Sequence, residues 1–172
     1  GHEYVALGVS AKWATCNVGA SKPEDYGNYY AWGETSTKSS YTGDNSKTYG
    51  KSMGNIAGNY DAARANWGGK WRIPTKAEMQ ELIDKCTWTW TTQNGVYGYK
   101  VKGPNGNSIF LPAAGYRSWS SLYRAGSNGG YWSSTPYEDY DNYAYYLCFY
   151  GSEHGVYGYR RYFGRSVRPV LE

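Results

Sequence analysis

The chain predicts an α+β domain on three observations. One helix is sharply delimited, aromatic-rich strands follow it, and aliphatic residues are few. The 172 residues suffice for one domain, 1–172, with a core of its own. Aromatics make up 19% of the residues, with 21 Tyr, 8 Trp and 3 Phe. Disordered chains lack aromatics, so disorder is excluded. The shortage of Leu, Ile and Met argues against a helical bundle. No apolar run approaches the roughly 20 residues of a membrane-spanning helix.

Tyr4 to Asn17 alternates weakly and reads as one or two short strands, and Asn28 to Trp32 as another. Residues 33 to 59 are polar and read as a long, mobile loop. Tyr60 to Trp67 predicts a short helix stopped by Gly68-Gly69. Thr75 and Glu78 then form a T-x-x-E capping box just after Pro74. Met79, Leu82, Ile83 and Cys86 follow at i, i+3, i+4 and i+7, one face of a helix over about Lys76 to Lys85. Strands and turns come next: Tyr97 to Lys102, a Pro104-Asn105-Gly106-Asn107 turn, and Ser108 to Ala113. Further strands are expected at Tyr131 to Thr135, Tyr143 to Phe149, Gly158 to Tyr162 and Ser166 to Val170. Strands, two early helices, then many strands is an α+β order.

Net charge is +4, with no Lys/Arg block, so nucleic acid has no electrostatic footprint here. Cys16, Cys86 and Cys148 stand apart without zinc-ligand spacing. Their odd number allows one disulfide plus a free thiol, or three reduced thiols.

Position along the chain carries the functional signal. The first 96 residues hold 7 Tyr and the last 76 hold 14. All ten Lys lie at or before Lys102; beyond it the basic residues are Arg117, Arg124, Arg160, Arg161, Arg165 and Arg168. Tyr, Trp, Ser, Gly, Asn and Arg without Lys is the composition of a recognition surface. Strand propensity accounts for tyrosines such as those of YAYYLCF. It accounts less well for Tyr123, Tyr137, Tyr140, Tyr150 and Tyr157, which lie among Gly, Ser and Asp.

Several strings carry a resemblance: KWATCNVGA, DYGNYYAWGET, WGGKWRIPTKAEMQELI, SIFLPAAGYR, GGYWSST and GRSVRPV. Together they resemble the Fibrobacter succinogenes major domain (FISUMP-like) family of bacterial secreted or surface proteins, over Tyr4 to Val170. That family is similar to the formylglycine-generating-enzyme-like fold and to variable proteins of diversity-generating retroelements. The resemblance implies a C-type-lectin-like fold with two helices early and antiparallel strands whose termini pair. It also implies an exported protein at the outer cell surface, diversified by a retroelement in segments between fixed strings. Those segments are Ser118 to Arg124, Tyr137 to Asp141 and Phe149 to Tyr162. Family cysteines match Cys16 and Cys86, which implies a Cys16–Cys86 disulfide and leaves Cys148 unpaired.

Enzymatic readings are weaker. Glu138, Asp139 and Asp141 cluster in one turn, where solvated acids are the commoner case, and the calcium signatures of classical C-type lectins are not seen. His2 and His154 are the only histidines, too few to support a triad. The formylglycine-generating relatives use a C-terminal cysteine pair, and only Cys148 lies there. Nucleotide-binding glycine motifs are absent. Trp32, Trp67, Trp71, Trp88, Trp90 and Trp132 sit in scaffold-like strings and are expected to pack.

The expectation is therefore a monomeric, non-enzymatic binding domain without cofactor or metal. It contacts membrane only through an anchor outside this chain. The ligand-binding residues are Trp119, Tyr123, Arg124, Tyr137, Tyr140, Tyr150, Tyr157 and Tyr159, with Asp139 and Glu153 as polar partners. A protein ligand is the first choice, a glycan the second, and a structural or tip subunit of a surface appendage the alternative.

Overall fold

A computed structural model describes all 172 residues. Strand accounts for 39% of the chain and helix for 11%, arranged as four small antiparallel sheets. This corrects the α+β expectation. The layout is not a two-helix one, and the C-type-lectin-like assignment that assumed it is set aside. Two local causes explain the difference. The first helix, α1, spans only Ala62–Trp67, because Tyr60 lies in a 3₁₀ turn and Asp61 is the N-cap, its carboxylate accepting from Arg64 N–H. Thr87–Gln93 (TWTWTTQ), for which no element was expected, is a full strand, as β-branched Thr and Trp favour.

The terminal sheet joins both ends of the chain. Its strands are β1 (Tyr4–Ala6), β2 (Lys12–Ala14), β3 (Trp71–Arg72) and β12 (Val170–Leu171), in the order β1-β2-β12-β3. A meander follows: β4 (Thr87–Gln93), β5 (Val96–Lys102) and β6 (Ser108–Pro112). β7 (Tyr116–Ser118) and β8 (Ser121–Tyr123) form a hairpin. The largest strands, β9 (Asn128–Pro136), β10 (Tyr143–Tyr150) and β11 (Glu153–Arg160), make a sheet ordered β11-β10-β9.

That last sheet separates two cores. Alternation along β10 sends Leu147 and Phe149 to one face, with Tyr131 of β9. They meet Met79 and Leu82 of the helix α2 (Lys76–Lys85), Tyr99 and Val101 of β5, and Trp13 and Val170 of the terminal sheet. The opposite face carries Trp132 and Ala144, which pack on Trp32, Ile56, Ala62, Ile73 and Val167. The tryptophans also bond to backbone: Trp32 Nε1 donates to Ser133 O and Trp132 Nε1 to Tyr30 O, each at 2.8 Å. In these two residues an indole fills the volume a chain poor in aliphatics leaves and its N–H is satisfied, whereas Trp13 Nε1 is buried without a partner.

The Asn28–Trp32 segment is extended but not a strand. It meets the C-terminal stretch at Tyr30, whose N–H and C=O bond to Arg165 at 2.9 Å, and at Trp32, whose N–H donates to Arg161 O at 2.9 Å. Residues 33–59 form a fastened loop rather than a loose one. Tyr41 and Ile56 are buried, Thr48 Oγ1 donates to Trp32 O at 2.8 Å, and Arg161 Nη1 donates to Thr48 O and Lys51 O.

The implied Cys16–Cys86 disulfide is not formed; all three cysteines are half-buried free thiols. Cys16 follows β2 beside Thr15 Oγ1, and Cys86 closes α2, its N–H bonded to Leu82 O.

Candidate functional site

The half of the β9–β10–β11 face that the second core leaves uncovered carries the site. Antiparallel register places Tyr146 opposite Tyr157, Cys148 opposite Gly155 and Tyr150 opposite Glu153 on that face. The β7–β8 hairpin is laid beside it by two bonds between Arg117 and Gly164, each 2.8 Å. Those bonds bring Tyr116 over Phe163, with ring centroids 5.4 Å apart and planes 14° apart.

From there the aromatic contacts are continuous. Tyr123 stacks on Tyr116 at 5.6 Å, and Tyr116 on Phe163. Phe163 meets Tyr159 edge-on at 5.0 Å, Tyr159 meets Tyr143 at 5.7 Å, and Tyr143 meets Tyr140 at 5.4 Å. Tyr137 stacks on Tyr140 at 5.9 Å and lies against Gly158 of the neighbouring strand, where no Cβ obstructs the ring. Seven rings thus form one surface band, with spacings typical of offset and edge-on pairs.

The residues singled out from sequence divide by location. Tyr123, Tyr137, Tyr140 and Tyr159 belong to the band. Tyr150 and Glu153 sit opposite each other at the far end of the β10–β11 hairpin, the phenol donating to the carboxylate. Tyr157 is exposed on the edge strand β11. Trp119 stands apart: it caps the tip of the β7–β8 hairpin at φ 54°, is 64% exposed, and is held by two 2.8 Å backbone bonds to Tyr41. Asp139 is exposed in the β9–β10 turn, while its neighbour Glu138 accepts a 2.6 Å bond from Tyr145 Oη. Exposed Arg124, at φ 57°, ends the hairpin and reaches two recesses. Tyr123, Tyr150 and Tyr157, which stand among Gly, Ser and Asp in sequence, are strand residues rather than loop residues, and Tyr159 lies in a strand as well.

Both recesses are bordered by Arg124 and Asn128. One, of about 520 Å³, is open and is walled by Trp90, Tyr97 and Tyr150. Trp90 and Tyr97 are cross-strand neighbours stacked at 5.9 Å and 14°, a flat platform. The other, of about 270 Å³, lies between the hairpin and the sheet, walled by Tyr116, Tyr146, Tyr159 and Phe163 with Arg165 at its base. Burial pushes the Tyr146 phenol up to about 12, against the pull of the Arg165 charge. Tyr116, Tyr143, Tyr146, Phe163, Trp90 and Arg165 escaped the sequence reading because they stand in strings that read as scaffold. Period-2 alternation in YAYYLCF was the available signal: it puts Tyr146 on the face of Tyr150, away from Leu147 and Phe149.

Residues 81–170, which include both recesses and the whole band, match the family described as Domain of unknown function (DUF8237). No curated protein and no solved structure matches the chain.

Proposed function

We propose that this chain, which belongs to the DUF8237 family, is an exported, non-enzymatic binding module that recognises a protein ligand at the outer cell surface. The observation that carries the reading is the band of seven contacting rings from Tyr123 to Tyr137, set among Ser, Gly, Asn and Arg. Rings locked by their neighbours lose little entropy on binding and exclude water from the contacts around them. The Ser118–Arg124, Tyr137–Asp141 and Phe149–Tyr162 segments, which carry the exposed rings of this face, are where we place diversification. A reverse transcriptase and a template repeat beside the gene are the observation that idea requires.

A glycan is the second reading, favoured by the parallel Trp90–Tyr97 platform, on which a sugar ring can stack. Two experiments separate them: the domain is applied to a glycan array and to an array of purified surface proteins. Tyr123→Ala, Tyr140→Ala and Tyr157→Ala combined remove exposed rings only. The triple variant is expected to melt close to the parent and to lose its protein ligand. A folded triple variant with unchanged binding sinks the site.

A further inference from the structure

We propose that the 270 Å³ cavity between the β7–β8 hairpin and the β9–β10–β11 sheet is a carboxylate-binding site anchored by Arg165, with Arg124 at its mouth. It receives an acidic side chain or the chain-end carboxylate of a protein partner. The protein source rests on the reading above; the carboxylate chemistry stands on the cavity itself.

Three C-terminal arginines are buried, and they differ in one respect. Arg168 donates to Asn17 Oδ1 at 2.8 Å, Phe110 O at 2.8 Å and Ala14 O at 3.2 Å. Arg161 donates to Tyr143 O at 2.9 Å, Thr48 O at 2.9 Å and Lys51 O at 2.6 Å. Both are structural clamps whose charge is spread over carbonyls, although Arg161 Nη2 is buried without a partner. Arg165 is 4% exposed, and its guanidinium makes no hydrogen bond and no ion pair. Its Nε is buried without a partner. The titratable groups that act on it most strongly are Tyr146, Cys148, Tyr116 and Tyr159, none of them a carboxylate.

A buried guanidinium that lacks a carboxylate is costly, and its surroundings show what keeps it there. Its Cζ lies 3.7 Å from the Tyr146 ring centroid, 5.2 Å from that of Trp132, and 5.5 and 5.6 Å from those of Phe163 and Tyr116. Ring faces offset part of the desolvation but accept no N–H hydrogen bond of ordinary strength. The donors therefore remain available to a ligand. Gly130 keeps the approach clear: a Cβ there would stand 2.5 Å from Arg165 Nη1.

The class of ligand follows from this geometry. A guanidinium fork matches a planar carboxylate bidentately. Flat aromatic walls suit a planar group with a short apolar stem. The flat aromatic lining, rather than the count of positive charges, favours a planar carboxylate over a tetrahedral phosphate. Neutral ligands would leave the Arg165 charge as it stands.

The test is a titration of the full ¹⁵N-labelled chain, read at the Arg165 Nε–H resonance. The probes are N-acetyl-glutamate amide, which offers only a side-chain carboxylate, and N-acetyl-phenylalanine, which offers only a chain-end one. N-acetyl-glutamine amide, inorganic phosphate and glucuronate are run beside them. At least one peptide carboxylate is expected to saturate with a dissociation constant on the order of 1 mM, while the neutral amide leaves the resonance unmoved. The probe that saturates identifies the source. Arg165→Lys, followed at the backbone amide of Gly129 in the cavity wall, keeps the charge and loses the fork, and weakens binding at least about tenfold relative to the parent read at the same amide. Should that variant fail to fold, exposed Arg124→Ala gives a severalfold loss in a folded protein. No shift with either peptide carboxylate, or tighter binding of phosphate or glucuronate, overturns the proposal. The triple tyrosine variant removes no wall of this cavity, so it retains the titration even where the protein-binding reading of the band fails.

Discussion

The imidazole of His154 lies flat on the indole of Trp88, with 4.5 Å between centroids and 8° between planes. Tyr99 closes it from the edge at 5.4 Å, and Nδ1 is buried without a partner. Burial holds the His154 pKa below its usual 6.5, and the Glu153 charge opposes this only in part. A depressed histidine pKa means that the unfolded chain binds the proton more readily. Its contribution to stability is therefore complete above pH 6.5 and lost as the pH falls through the lower folded value. Urea midpoints are expected to fall between pH 8 and pH 5. His154→Phe keeps the stack and flattens that fall; an unchanged slope in the variant refutes the assignment.

Gly129 faces Phe149 across β9 and β10, and a Cβ at 129 would stand 2.1 Å from the ring edge. Phe149 is fully buried against Tyr131, Trp88 and Tyr99, so it has no free direction to yield. Gly129→Ala is expected to cost about 1–3 kcal/mol by overpacking. Gly126→Ala, at a position with open space but φ 89°, serves as a comparison in which only backbone strain acts. Equal chemical-denaturation midpoints for Gly129→Ala and the parent would show that the core has room there.

The helix α2 starts on a reciprocal pair of bonds: Glu78 N–H donates to Thr75 Oγ1 at 3.2 Å, and Thr75 N–H to Glu78 Oε1 at 2.9 Å. The Arg72 fork adds two 2.7 Å bonds to the same carboxylate. Thr75→Ala removes one cap bond and is expected to cost about 1 kcal/mol. Glu78→Gln keeps a bond acceptor and loses the charge. The Arg72 and Thr75 contacts hold the Glu78 pKa below its usual value although burial works against them. Its stabilisation is present above about pH 4.5 and lost as the pH falls through the depressed folded value. The Glu78→Gln variant is expected to lose that acid dependence, measured by thermal melts from pH 6 to pH 3.

This helix was readable because its signals are local: a capping box and an apolar face at helical spacing occupy twelve consecutive residues. The β4–β5 hairpin was equally local in kind, since Asn94 and Gly95 both take positive φ, at 48° and 81°. Its strand β4 reads Thr-Trp-Thr-Trp, which period-2 alternation identifies only if Trp counts as the inward residue. The site was half legible. Composition pointed to the tyrosines of the last third, and four of those named join the band. Arg165 was illegible because its role depends on what is missing around it. Arg161, Arg165 and Arg168 look alike in sequence, and only tertiary packing gives two of them carbonyl partners and leaves the third with ring faces.

The three cysteines give a prediction that bears directly on the corrected pairing. All are free and half-buried, and burial raises the Cys86 thiol pKa, with the Glu81 charge acting in the same direction. A raised thiol pKa slows attack by the thiolate on any oxidised partner. Purified without reductant, unfolded and alkylated, the chain is expected to carry three labels by mass spectrometry. One label would restore a disulfide, and peptide mapping would identify it.

Gly158 and Tyr137 set the last expectation, because the ring of Tyr137 rests where a side chain at 158 would stand. A Cβ there would lie 2.2 Å from Tyr137 Cδ1. The contact is at the surface, so the ring can swing out while the sheet persists. Gly158→Ala is therefore expected to cost about 1 kcal/mol or less, in the range of surface substitutions. It should nonetheless break the end of the aromatic band, since Tyr140 stacks on Tyr137 and Tyr143 meets both. Ring-current shifts of Tyr140 and Tyr143 should change in the NMR spectrum while those of Tyr116 and Phe163 hold. If the parent shifts of Tyr140 persist in the variant, the band is a set of independent rings. Binding by a preformed aromatic surface then loses its physical basis.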